Sequence, residues 1–148
     1  MLSMDFKNKV FWITGSSSGI GKSLAIELSN YGVNLILSSR NKKSLEEVKK
    51  LCNASSNVKV LPLDLENYSE MSLKVDEAVS YFGKIDFLIN NGGVSQRSLV
   101  KDTDILVDKR LMDINYLGTV ALTKAVLPYF IKNKSGSFVV TTQVLLVK

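Results

Sequence analysis

The sequence predicts an α/β fold: a doubly wound parallel sheet of strand order 3-2-1-4-5 with helices on both faces. Three observations predict it. Short, mainly apolar runs alternate with longer helical stretches, the apolar residues are not confined to every second position, and a glycine-rich loop joins the first run to the first helix.

The runs Val10–Thr14, Val33–Ser38, Val58–Leu63, Ile85–Asn90 and Phe138–Thr142 each read as a strand buried on both faces. Between them, Ile20–Tyr31, Lys43–Cys52 and Ser69–Phe82 have helical periodicity, the arrangement that βαβ units require. Gly32 stands where a left-handed C-cap is wanted. Asn67-Tyr68-Ser69-Glu70 resembles a capping box with Asn in the first place. Asp104–Ile131 reads as one helix or a kinked pair, ending near Lys132-Asn133-Lys134. Right-handed crossovers then give the order 3-2-1-4-5, with a ligand crevice at the carboxyl ends of strands one and four.

Length and composition fit one domain over residues 1–148, with 45% hydrophobic and 22% charged residues. No stretch reads as the roughly 20 apolar residues of a membrane span, and Met1–Lys7 has no apolar signal-peptide core. The single Cys52 reads as a half-buried helix residue and suits a reducing, cytoplasmic setting. With no His in the chain, His general-base chemistry and His metal ligation are excluded, and no metal site is expected. The net charge of +5 comes from scattered Lys without an aromatic stacking array, so nucleic acid is not an expected partner.

The loop Thr14-Gly15-Ser16-Ser17-Ser18-Gly19-Ile20-Gly21 carries the chemistry. Gly15 allows a sharp turn off the strand, Gly19 allows a pyrophosphate close to the backbone, and Gly21 allows close helix packing. Free N–H groups and the helix dipole favour the anion. Two nucleotide-binding patterns compete. A P-loop would end in Gly21-Lys22-Ser23, but its first Gly would fall at Ser16. The spacing present, Thr-Gly-x-x-x-Gly-x-Gly, resembles that of the short-chain dehydrogenase/reductase family, whose fold is of the Rossmann type.

That resemblance runs from about Lys7 to Thr142. Asn90-Asn91-Gly92-Gly93 is similar to the family's Asn-Asn-Ala-Gly, with Gly92 replacing Ala. The resemblance implies that Asn91, Gly92 and Gly93 flank a cofactor ribose, together with Ser17, Ser18 and Ile20 of the glycine loop near the phosphates. It assigns the Asp64 carboxylate to an adenine amino group and the Leu65 backbone to the ring's edge; a helix-capping Asp is the plainer alternative. Asn115 matches the family's active-site Asn, which holds a helix kink and a water linked to a catalytic Lys. At the end of strand two, Ser39 and Arg40 stand where an NAD site would carry an acid. A guanidinium there can grip a 2′-phosphate, so NADP(H) is the expected cofactor.

The family implies hydride transfer between NADP(H) and a small carbonyl or alcohol substrate, in a homo-oligomer. It uses a Ser and a Tyr-x-x-x-Lys pair. None of the five Tyr here is followed by Lys at that spacing, and the position expected for the Ser is Gln143. One set of codons for the apolar tail Gln143–Lys148, read in another frame, would spell Ser-Ser-Phe-Gly-Lys. The expectation is therefore a cofactor-binding half, truncated after strand five and inactive alone; a non-catalytic nucleotide-binding or interaction fragment and a P-loop NTPase are the alternatives.

Overall fold

The structure is a computed structural model, and it describes residues 6–142. The expectations for Gln143 and the apolar tail lie outside the described residues. So does the first part of the N-terminal segment.

Five parallel strands form one sheet: β1 (Val10–Thr14), β2 (Asn34–Ser38), β3 (Asn57–Val60), β4 (Phe87–Asn90) and β5 (Ser137–Val140), ordered β3-β2-β1-β4-β5. This is the expected doubly wound, Rossmann-type order. Helices α1 (Gly19–Leu28), α2 (Lys42–Leu51), α3 (Met71–Phe82), α4 (Ile105–Met112) and α5 (Thr119–Asn133) connect the strands. β1 is central and wholly buried. Val10 pairs in register with Asn34 on one side, and Phe11 pairs with Phe87 on the other.

Because both faces of β1 and β2 are covered, consecutive side chains feed two separate cores. Val10, Trp12 and Ile36 point to the face that α3 and α5 cover, packing with Val75, Leu122 and Phe130. Phe11, Ile13, Leu35 and Leu37 point to the face of α1 and α2, against Ala25, Leu45 and Val48. Phe11 stacks on Phe87 with ring centroids 4.4 Å apart.

Some expectations need correction. β3 is shorter than Val58–Leu63 and is half-exposed, because it is an edge strand whose Lys59 faces outward. β5 is exposed along its length rather than buried on both faces, because it forms the opposite edge. Asn67 does not cap with its side chain: its carbonyl accepts from Glu70 N–H at 3.3 Å, while its Oδ1 accepts from Ser69 Oγ at 2.8 Å. Gly32 does adopt the left-handed cap, at φ 63° after the short 3-10 turn Ser29–Tyr31.

The expected kink in the long helical stretch is a π turn, Asp113–Gly118, which joins α4 to α5 without a break. The resulting stretch Ile105–Asn133 is long and apolar enough to cross a membrane by length and composition, contrary to the reading of the sequence. That reading found no run of about 20 apolar residues, although it gave Asp104–Ile131 as one helix or a kinked pair. Leu122, Val126 and Phe130 nevertheless bury one of its faces in the domain's own core. Lys134 ends α5 in the left-handed conformation at φ 50°.

Candidate cofactor site

The carboxyl ends of β1, β2 and β4 open into one cleft of about 560 Å³. On one side lies the glycine loop with the start of α1, contributing Gly15, Ser17, Ser18, Gly19 and Ile20. The end of β2 contributes Ser39 and Arg40, and the segment after β3 contributes Asp64 and Leu65. Beyond β4, Asn91, Gly92 and Gly93 close the floor. Twelve of the sequence-chosen residues thus meet in one crevice, at the point where the strand order reverses. Gly21 and Asn115 do not line it.

Gly21 is buried behind the loop, where an added Cβ would lie 2.5 Å from both the Gly15 carbonyl oxygen and Asn91 Nδ2. The helix therefore packs against the loop and Asn91 rather than simply against the sheet. Gly15 turns at φ +64°, and its missing Cβ leaves room for Gly92 Cα.

A hydroxyl organises the floor. Thr14 Oγ1 accepts from the backbone N–H of Asn91 at 3.0 Å and of Gly92 at 2.8 Å, and donates to the Ile89 carbonyl at 3.3 Å. Asn91 Nδ2 donates to the carbonyls of Thr14 and Gly15, each at 3.2 Å, and its Oδ1 accepts from Thr141 Oγ1 at 3.0 Å. Strands β1, β4 and the end of β5 are thereby cross-linked where they face the cleft. Under the β2 end runs a second chain, buried: Trp12 Nε1 donates to Ser38 Oγ at 2.8 Å, which donates to the Leu61 carbonyl at 2.7 Å.

At the far rim, Ser39 Oγ is buried without a hydrogen-bond partner among the described residues. Arg40 is exposed and makes no ion pair among them. Asp64 presents an exposed side chain, and its Oδ1 accepts locally from Glu66 N–H at 3.1 Å. That is a local turn rather than a helix cap, since the next helical turn, Tyr68–Glu70, has Asn67 at its N-cap position, and the carboxylate lines the cleft.

Asn115 sits in the π turn beside an adjoining cleft of about 430 Å³, which Asn90, Val94, Ser95, Thr119 and Thr141 also line. Its Oδ1 accepts from Val94 N–H and its Nδ2 donates to the Val94 carbonyl, both at 2.8 Å. Thr119 Oγ1 donates to the Asn115 carbonyl at 3.0 Å. Nearby, Tyr68 Oη donates to the Asp113 carbonyl at 2.7 Å. Desolvation and then the Asp113 charge hold the Tyr68 hydroxyl above its ordinary range. The Asp113 carboxylate, bonded to Lys109 Nζ at 2.6 Å, keeps that ammonium above its own.

Residues 9–145 match the family model described as short chain dehydrogenase. The chain belongs to that family. It is 47% identical over 145 residues to dehydrogenase/reductase SDR family member 7 of Mus musculus, covering 95% of this chain and 43% of the relative. A comparable protein of Anopheles gambiae, SDR family protein 7-like, is 42% identical over 137 residues, covering 88% of this chain and 43% of the relative. This short-chain dehydrogenase chain therefore spans less than half the length of the curated relatives it matches. Among solved structures, levodione reductase superposes with a TM-score of 0.85 at 24% identity, over 91% of this chain and 54% of that one. A reductase described as NADH-dependent and complexed with NAD gives 0.77 at 28% identity, over 92% and 60%. The family is one of oxidoreductases.

Several lining or supporting residues of this dehydrogenase chain were not singled out from sequence. Asn41, Leu63 and Ile114 line the cleft, while Thr14, Ser38 and Thr141 hold its walls. Thr14 stood inside the glycine motif, so its spacing could have flagged it. Thr141 and Ile114 carry no local signal, because only tertiary packing brings them to the site.

Proposed function

We propose that this chain is the cofactor-holding half of an NADP(H)-dependent short-chain oxidoreductase acting on a carbonyl or alcohol. The observation that carries the reading is the end of β2, where Ser39 Oγ is buried and unpartnered and Arg40 is exposed and unpaired among the described residues. No acid occupies Ser38–Lys43 to receive ribose hydroxyls or to repel a phosphate. A 2′-phosphate would give the guanidinium a bidentate partner and the hydroxyl an acceptor.

The other groups fit the remaining parts of such a ligand. N–H groups at the start of α1 favour the pyrophosphate. Asp64 can accept from an adenine amino group beside the Leu65 backbone, and Asn91, Gly92 and Gly93 border the ribose. When bound, the nicotinamide supplies or takes up the hydride. Proton transfer to the substrate oxygen requires a donor within hydrogen-bond reach. In this chain no Tyr has Lys at the family spacing. We therefore assign it binding and orientation of the dinucleotide, and assign turnover to a longer form in which Asn115 acts with the missing groups.

The test is a fluorescence titration of the chain with NADPH, NADH and ATP in parallel. Tighter binding of NADPH supports the reading. Equal affinity for NADPH and NADH removes the 2′-phosphate argument, and binding of ATP with no binding of NADPH or NADH would favour a P-loop function.

A further inference from the structure

Leu65 is wedged between two glycines from different parts of the chain. Its side chain is buried. A Cβ built on Gly92 would lie 2.8 Å from Leu65 Cδ1 and 3.1 Å from Thr14 Oγ1. One built on Gly118 would lie 2.4 Å from the Leu65 carbonyl oxygen and 2.8 Å from Leu65 Cβ. Neither glycine has a positive φ, so the obstacle to a side chain is space rather than backbone conformation, and at Gly92 it is chiefly the tip of a leucine, which would have to shift. At Gly118 the obstacle is main chain, which has no rotamer to retreat into.

The contact has a location that gives it consequence. Leu65 belongs to the wall carrying Asp64, Gly92 belongs to the floor behind β4, and both line the cleft. Gly118 closes the π turn and is buried outside it. Tyr68 ties the Leu65 segment to the opposite end of that turn through the Asp113 carbonyl.

We infer that Leu65 and Gly118 are positioning residues of the nucleotide cleft. Seated against both glycines, Leu65 sets the distance between the Asp64 wall and the Asn91–Gly93 floor. A ligand that spans both is held at full strength only at that distance. The inference rests on the dinucleotide reading above. A methyl added at position 92 pushes against the leucine tip and against the hydroxyl that fixes the floor, so the two surfaces move apart. Shortening Leu65 to Val removes the colliding methyl and restores the spacing.

The experiment compares the unmodified chain with Gly92→Ala, Leu65→Val, the double variant and Gly118→Ala. Each is titrated with NADPH and with adenosine 2′,5′-bisphosphate, which carries the adenine, its ribose and the 2′-phosphate but lacks the nicotinamide half, and melted without ligand. Gly92→Ala should weaken NADPH about tenfold, and the double variant should return to within about threefold of the unmodified chain. The bisphosphate should change by less than about threefold throughout the Gly92 and Leu65 series. Gly118→Ala, which meets main chain, should lose NADPH affinity and should not be rescued by Leu65→Val. If it does not fold, the Gly92 and Leu65 pair still decides. Additive losses, unaltered NADPH binding by Gly92→Ala, or equal losses for both ligands in step with the melting temperature would overturn the inference. Failure of the unmodified chain to bind NADPH would remove the dinucleotide reading as well; binding with additive variants removes this inference alone.

Discussion

The Asn115 side chain closes both backbone polar groups of Val94, accepting from its N–H and donating to its carbonyl at 2.8 Å each. A side-chain amide thus stands in for a neighbouring strand at the point where the chain leaves β4. It can do so because the π turn delivers Asn115 to the loop while Thr119 satisfies the Asn115 carbonyl.

Asn115→Ala should therefore release the segment after β4. The expected cost is about 1 kcal/mol in stability, the net worth of exposed hydrogen bonds, with faster amide exchange at Val94. Denaturant unfolding and exchange NMR measure both, and unchanged protection at Val94 would contradict the role.

Arg40→Ala should lower the preference for NADPH over NADH by roughly 1–3 kcal/mol, the range for a charged hydrogen bond. The effect should appear as lost NADPH affinity with NADH little altered. Calorimetric titration of both cofactors checks it, and an equal loss for the two would show that Arg40 serves the fold.

Asp86 anchors the start of β1, accepting from Val10 N–H at 2.8 Å beside Lys84 at 2.9 Å and Lys9 at 3.6 Å. Burial pushes its carboxyl up, but the Val10 hydrogen bond and the two ammonium groups more than offset this and leave it below its ordinary value. The unfolded chain takes up that proton more readily, so the stabilisation is present above the unfolded pKa. It is lost as pH falls through the folded one. Asp86→Asn should be less stable than the unmodified chain at neutral pH, with the gap closing on acidification. Melts at a series of pH values should show this convergence; a constant gap would refute it.

No carbonyl reduction by the 148-residue chain is expected. Losing the proton donor and the group orienting the substrate oxygen is each worth ~10²-fold or more. Steady NADPH consumption with a panel of carbonyl compounds would show that other residues supply the chemistry.

β5 is an edge strand in which Val139 and Val140 are 42% and 56% exposed. Unpaired backbone groups beside apolar side chains favour pairing with another copy. The isolated chain should sediment as oligomers, and Val140→Lys should shift it toward monomer. A monomeric unmodified chain at high concentration would end this expectation.

The central part of the fold was legible because burial leaves a simple signature. Val10–Ile13 is apolar at every position, and the structure buries it together with Thr14. The edges were less legible for the opposite reason. Asn57-Val58-Lys59-Val60 alternates polar and apolar, the mark of a strand with one wet face, but the apolar continuation through Leu63 obscured it. Phe138-Val139-Val140 reads as a buried strand, yet its exposure depends on what lies beside it. At the site, the glycine spacing located the loop, and Arg40 was visible through the missing acid. Thr141 reaches Asn91 only because β5 is placed beside β4, and no local pattern encodes that meeting.

The centrality of β1 also bears on the order in which the chain acquires structure. On one side β1 can pair with β2 as soon as residues 34–38 are available. Its other partner is β4, and the hydrogen bond from Val10 to Asp86 spans 76 positions. Loop-closure entropy must be overcome before such distant contacts contribute, and parallel pairings of this kind fold slowly. During synthesis, which runs at about 5–20 residues per second, one edge of the most apolar strand stays open for several seconds. Trp12 and Ile13 are then candidates for chaperone contact in the nascent chain, although both are fully buried once β4 arrives.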